Sequence, residues 1–247
     1  MATDAKREQI KKYFKKSSKW PTLFIVGGLL LFIIGTQSDV SLLGIGILIL
    51  AVGIAGIILA SKKPSDQKMD EYIAEDISRA KNKSLQKASI DESELVGESV
   101  VVTGPRFWNT SGATSLYKKG KDGRLRFTPI NVTVLNMTQH QIISYQACLD
   151  IVTGNFLNES TDEYFYKDVV SVSTSTDSIS HDTEKFGKIQ LNAAETFVLT
   201  TSGGTSIKTI LKDPKLIEMM GGGDIPTTDA EKAIQVVRKM LREKKQN

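Results

Sequence analysis

One cysteine and two histidines are the whole supply of soft metal ligands and redox-active thiols in these 247 residues. Cys148 has no second thiol to pair with, so no internal disulfide framework exists, as suits a reducing compartment. His140 and His181 stand apart in polar turns. With a single cysteine they cannot build a His/Cys metal cluster, and no H-E-x-x-H is present. Neither a Walker A loop nor a G-x-G-x-x-G after a strand occurs. Ser202-Gly203-Gly204 and Gly221-Gly222-Gly223 read as a turn and a helix end. His181-Asp182 lies among serines and threonines but has no G-x-S-x-G elbow. These absences predict a protein that is not an enzyme, with no catalytic residue, metal or cofactor. The net charge of +4 is small and partly belongs to a terminal tail, which argues against a nucleic-acid partner.

Charge is also missing from two long runs, and here absence becomes a positive signal. Thr22–Thr36 and Leu42–Ala60 carry no ionisable residue and are separated only by Gln37-Ser38-Asp39-Val40-Ser41. A spanning helix needs roughly 20 apolar residues to cross a core of about 30 Å. The second run meets that length. The first is short, but Trp20 can sit at the interface while Lys15, Lys16 and Lys19 snorkel outward. Residues 21–61 therefore read as a transmembrane helical hairpin. No A-x-A-like site follows the first run, which argues against a cleaved signal peptide.

Orientation follows from the basic residues. Lys6, Arg7, Lys11, Lys12, Lys15, Lys16 and Lys19 precede the hairpin, Lys62, Lys63 and Lys68 follow it, and the loop has none. The positive-inside rule places both chain ends in the cytoplasm, with the bilayer as the first partner. The sequons at Asn109, Asn131, Asn136 and Asn158 weigh less than this asymmetry. Gly28 and Gly35 in the first run, and Gly46, Gly53 and Ala60 in the second, repeat every seven residues; Gly56 adds a small-xxx-small pair with Ala60. In lipid, helices associate through close backbone approach at such residues. The seam either closes the hairpin on itself or also builds a homo-oligomer.

Residues 1–20 form a basic helical leader, with Tyr13 and Phe14 expected in the interface. Residues 62–94 read as an amphipathic connector: Met69, Tyr72, Ile73, Ile77 and Ala80 recur at helical spacing, followed by a polar linker from about Asn82. Residues 95–247 read as a β domain with a C-terminal helix. Strands are expected over Glu98–Thr103, Arg124–Met137, Ile142–Val152, Tyr164–Ser173, Lys188–Ala193, Glu195–Thr201 and Thr205–Leu211. Pro105–Gly123 reads as a loop or irregular hairpin with Trp108 as a buried anchor, and a Ser/Thr/Asp loop runs to about Glu184. Ile143, Tyr145, Ala147, Leu149 and Ile151 alternate with Ser144, Gln146, Cys148 and Asp150. Lys215–Met220 reads as a short helix. Thr228-Asp229-Ala230-Glu231 is a capping box opening a last helix, whose apolar stripe is Ala230, Ala233, Ile234, Val237 and Leu241.

About seven short antiparallel strands followed by one amphipathic helix, with Glu163-Tyr-Phe-Tyr-Lys-Asp-Val-Val-Ser-Val172 in the middle, resembles the pleckstrin-homology-like superfold, including its bacterial and GRAM-type variants. The likeness spans roughly Leu95 to Lys244. It implies an α+β chain whose PH-like barrel or sandwich is capped by the last helix. In phosphoinositide-binding members, basic residues on an early loop hold phosphates. Lys118, Lys119, Lys121, Arg124 and Arg126, around the Gly120–Gly123 turn, are similar in kind, and clustered cations hold phosphate through charge-assisted hydrogen bonds. The expected function is a bacterial-type inner-membrane scaffold binding a protein, a lipid headgroup or a copy of itself. The alternative is an oligomeric membrane effector or pore whose cytoplasmic domain senses a ligand such as a nucleotide.

Overall fold

The computed structural model describes residues 2–15, 19–38, 40–61, 63–106, 111–183, 187–212, 217–218, 220–223 and 230–245. The chain is α+β, with its strands in three antiparallel sheets. It divides into two compact units, Gln9–Ser65 and Met1–Glu8 together with Asp66–Asn247.

The Gln9–Ser65 unit holds the second part of helix α1 (Ala2–Phe14) and the apolar helices α2 (Trp20–Ser38) and α3 (Val40–Ser61). The two apolar helices run antiparallel, since Gly28 meets Leu50, Gly35 meets Leu43 and Gly53 meets Ile25. Ser41–Ile58 is long and apolar enough to cross a membrane, whereas the apolar part of α2, Trp20–Thr36, is shorter. Tyr13 and Phe14, expected at an interface, are instead buried, their rings edge to face at 5.4 Å.

In the other unit, β1 (Val100–Pro105), β4 (Ile130–Met137), β5 (Gln141–Asp150) and β6 (Asn155–Phe165) form a sheet in the order β1-β4-β5-β6. Between β1 and β4 the chain makes a separate hairpin, β2 (Leu116–Lys119) and β3 (Leu125–Thr128). A third sheet has the order β7-β8-β9, with β7 (Val169–Thr183), β8 (Gly187–Thr201) and β9 (Ser206–Lys212). Helix α5 (Ala230–Lys245) follows.

Several boundaries differ from expectation. Arg124–Met137 is two strands rather than one, parted at Pro129, which has no N–H to give to a ladder. The Ser/Thr/Asp stretch is not a loop: β7 continues to Thr183, because its alternating Ser, Thr, Val and Ile suit a pleated strand. Lys188–Ala193 and Glu195–Thr201 are likewise one strand, β8. The expected hairpin at Ser202-Gly203-Gly204 joins β8 to β9, and Gly204 there has φ +82. Trp108 and half of the Lys215–Met220 stretch (Lys215, Leu216 and Met219) lie outside the described residues, as does the side chain of His181.

The core lies between the two large sheets and α5. Val102, Leu135, Met137, Ile142, Phe197 and Leu199 meet Ile234, Val237 and Met240 of α5. A Cβ at Gly104 would land on the carbonyl oxygen of Ile210, so only glycine lets β1 pass so close to β9. Thr133 and Thr209 hydroxyls bond at 2.8 Å between β4 and β9, joined by Asn131 Nδ2 to Thr209 at 3.3 Å.

Both faces of the β4–β5 region are covered, and all eight residues of β4 are buried. The second cover is α4 (Asp66–Ala88), which runs on through residues expected to be a linker. Its buried residues, Met69, Asp76, Ala80 and Ser84, form one stripe at helical spacing. Ser84 accepts from Asn136 Nδ2 at 2.9 Å. Asn136 pairs with Ile143, and Val134 with Tyr145, so the apolar alternation of β5 points toward α4. Ser144 and Cys148, expected on a polar face, are buried on the opposite side.

Asp76 is fully buried in this layer. Arg7 forks onto it, Nη1 to Oδ2 at 2.5 Å and Nη2 to Oδ1 at 2.8 Å, and also donates to the Ile151 carbonyl at 2.9 Å. Lys6 Nζ adds a bond at 3.1 Å. Burial alone would push the Asp76 carboxyl up, but the bonds and charges of Arg7 and Lys6 hold it below its ordinary value. Burial pushes Tyr166 up to about 12, and its hydroxyl donates to the Thr138 carbonyl at 2.8 Å. The signs are opposite. The Asp76 contribution is present above the unfolded carboxyl value of about 3.9 and is lost as pH falls through the lower folded one. The Tyr166 contribution is complete below about pH 10 and is lost as pH rises toward the folded value. Melting temperature against pH should therefore fall at both ends, and Tyr166→Phe should soften the alkaline limb. An alkaline limb unchanged in that variant would remove Tyr166 from its cause.

Candidate functional site: a basic turn and an arginine-lined groove

The basic turn is built by the β2–β3 register, in which Lys118 faces Arg126 and Lys119 faces Leu125. Gly120 N donates to the Arg124 carbonyl at 2.8 Å, and Gly123 supplies φ +80. Alternation then separates the five expected cations. Arg126 turns inward, with its side chain 1% exposed, and bonds Asp70 through Nε and Nη2, both at 2.7 Å. It also bonds Asp122 at 3.0 and 2.7 Å, with Asp66 at 4.0 Å. The Arg126 hydrogen bond holds the Asp122 carboxyl well below the usual carboxylate range. Lys121 N donates to Asp66 Oδ2 at 2.7 Å. Arg126 thus ties α4 to the hairpin and does not present its charge to an incoming phosphate.

Lys119, Lys121 and Arg124 remain exposed at the tip, and Lys118 is half-buried. Tip cations within a Debye length of an anionic lipid surface contribute about 1 kcal/mol each. Replacing Lys119, Lys121 and Arg124 together by Glu should weaken binding of the full chain, held in phosphatidylcholine nanodiscs, to phosphatidylglycerol vesicles by at least tenfold. Unchanged binding would remove the turn as an anion site.

The glycine seam lies where α2 and α3 touch. A Cβ at Gly28 would stand 2.8 Å from Leu50 N, one at Gly46 2.6 Å from Phe32 N, and one at Gly53 2.7 Å from Ile25 Cγ1. At Gly35 it would meet Leu43 N, and at Gly56 it would lie 2.9 Å from Pro21 Cγ. The side chain of Ala60 lies outside the described residues. These glycines serve contacts within the hairpin; Gly27 and Gly44 face open space.

A further feature lies on the β domain, where β7 runs beside α5. Val169, Val170, Ser171 and Val172 form one wall of a groove of about 590 Å³, and Gln235, Arg238, Leu241 and Arg242 form the other. Among the described residues the strand that pairs with β7 is β8. Arg238 donates to the Val172 carbonyl from Nε at 3.2 Å and from Nη2 at 3.1 Å. No protein-family model, curated protein or solved structure matches this chain. Its function is therefore argued from geometry.

Arg238 and Arg242 lie off the apolar stripe of Ala230, Ala233, Ile234, Val237 and Leu241, and no sequence motif singles them out. The available signal was their i, i+4 spacing, which puts both on one face. Among the described residues no three His, Cys, Asp or Glu side chains gather to hold a metal ion.

Proposed function

We propose that the chain is a membrane-anchored binding module. In this reading α2 and α3 cross the inner membrane as a hairpin, both chain ends are cytoplasmic, and the β domain binds a partner without catalysing a reaction. The observation that carries it is where large apolar side chains meet solvent. Apart from Phe165 and Val170, every exposed large hydrophobic among the described residues lies on α2 or α3, with Leu23, Leu48 and Trp20 about two-thirds or more exposed. Keeping half of a Leu or Ile side chain in water forgoes about 1 kcal/mol, so a row of them on two helices is favourable only against hydrocarbon. At about 1.5 Å per residue, the 22 residues of α3 reach about 33 Å and the 19 of α2 about 28 Å. That is close to the bilayer core, and Lys19 and Trp20 can make up the difference at the shorter helix.

The four-plus-three arrangement of β1-β4-β5-β6 and β7-β8-β9, with α5 on the core between them, supports a PH-like domain in which β2–β3 is an insertion. The test is labelling in intact cells, in a Cys148→Ser background, with a membrane-impermeant maleimide. Asp39→Cys should react from outside and Pro64→Cys only after lysis. The reverse pattern, or extraction of the chain by alkaline carbonate, would end this reading.

A further inference from the structure

We propose that the lysines at the α1 end of the hairpin form a site for an anionic phospholipid, its phosphate held by Lys12, Lys15 and Lys19 and its acyl chains laid along Trp20 and Leu23. The site lies wholly within the Gln9–Ser65 unit. It rests on the membrane-anchored reading and names a lipid class for that anchor. Residues 9–65 contain seven lysines and one carboxylate, Asp39, which stands between α2 and α3 at the opposite end of the hairpin. A Cβ at Gly56 would stand 2.9 Å from Pro21 Cγ, so the start of α2 lies beside the last turns of α3. Lys19 precedes the one helix and Lys63 follows the other. Lys63 Nζ donates to the Lys15 carbonyl at 2.6 Å, which brings the end of α1 to the same place.

The fold of α1 presents these cations. Ile10, Tyr13 and Phe14, at helical spacing, are buried, so the apolar face that an interfacial helix would give to hydrocarbon is already covered by protein. What the end of α1 leaves to solvent is Lys11, Lys12 and Lys15, of which Lys11 is already engaged within the chain. Orientation by positive charge needs lysines near the hairpin, but no ordered helix to carry them. The helix dipole accounts for a cation at the C-terminus of α1, and Lys63 already fills that place. Lys19 is opposed by the dipole. Its carbonyl accepts from Leu23 N at 3.2 Å, which puts it at the positive end of α2, where the first turn has no Asp or Glu. Cations gathered in this way repel one another, and a bound anion removes that cost.

The occupant is a lipid because the same end carries bare apolar surface. Leu23 at 71% and Trp20 at 67% are the most exposed large hydrophobics among the described residues, and both lie within about one turn of Lys19. An indole with cations to one side and apolar side chains to the other suits the headgroup level of a bilayer. The ammonium groups give the phosphate charge-assisted hydrogen bonds, while the acyl chains cover Trp20 and Leu23. A free phosphate would use the lysines and leave that surface uncovered.

The test uses the full chain in neutral maltoside micelles, with phosphatidylglycerol or phosphatidylcholine added and bound lipid counted by native mass spectrometry. Phosphatidylglycerol should be retained at least tenfold more tightly than phosphatidylcholine. It should also raise the melting temperature, because a ligand held only by the folded chain stabilises it. Lys12→Gln, Lys15→Gln and Lys19→Gln should each weaken retention about fivefold, the equivalent of about 1 kcal/mol per cation beside an anionic lipid. Lys12→Arg, Lys15→Arg and Lys19→Arg together keep the charge and should keep the lipid, and Lys239→Gln on α5 should change nothing. Equal retention of the two lipids, or undiminished retention when all three lysines are Gln, would overturn the proposal. So would a melting shift reproduced by inorganic phosphate at the same concentration, which would assign the lysines to a free anion. The maleimide topology is read independently, so absence of lipid preference with Asp39→Cys labelled from outside removes the site and leaves the anchored module standing.

Discussion

Asp76→Ala should lower the stability of the β domain by about 3–5 kcal/mol, the cost of leaving a buried charge without its partner. The Asp76 side chain is 0% exposed and that of Arg7 is 9% exposed, so water cannot take the place of the lost carboxylate. Arg7 would keep only the Ile151 carbonyl, and its Nε already has no partner. Arg79 also reaches Asp76, at 3.1 Å, but half of its side chain is in solvent and its share is small. The companion variant decides the cause. Arg7→Met with Asp76→Leu removes both charges and fills the space with apolar groups, and buried pairs replaced in this way often lose little. The double variant should therefore stand well above Asp76→Ala in guanidinium unfolding of the full chain in micelles, followed by the β-sheet circular dichroism. A loss below about 1 kcal/mol for Asp76→Ala, or an equal loss in the double, would show that the pair is not what holds this layer.

Gly46→Ala and Gly44→Ala should have opposite signs although they are two residues apart on one helix. Alanine in place of glycine favours a helix by about 0.5–1 kcal/mol, and at Gly44 and Gly27 nothing lies within 4 Å of the added carbon. Those two variants should be neutral or slightly stabilising. At Gly46 the new carbon stands 2.6 Å from Phe32 N, a backbone atom that no rotamer change can move. Ordinary contact returns only if α2 and α3 part by about 0.8 Å, and overpacking of this kind costs about 1–3 kcal/mol. That exceeds the helix gain, so Gly46→Ala should lower the melting temperature in micelles and Gly46→Leu should lower it further. Equal melting for Gly44→Ala and Gly46→Ala would rule out the close-packed seam.

What could be read from the chain alone were features governed by near neighbours. Two uncharged runs made α2 and α3 legible, because composition over twenty residues decides them. The stripe through Ile234 and Val237 announced α5, and the Ser202-Gly203-Gly204 turn announced the β8–β9 hairpin; the capping box at Thr228 lies outside the described residues. The α+β class followed from these pieces. Tertiary structure decided the rest, since the deciding partners lie far away in sequence. Arg126 looks like one more cation of a basic turn until Asp70, 56 positions earlier, closes on it. Alternation along β5 cannot say that both of its faces are covered, because α4, which covers one of them, precedes it by more than fifty residues. The groove joins Val172 to Arg238, 66 positions apart. Periodicity reports which side of an element is apolar; only the folded chain decides which charges are neutralised and which faces are covered.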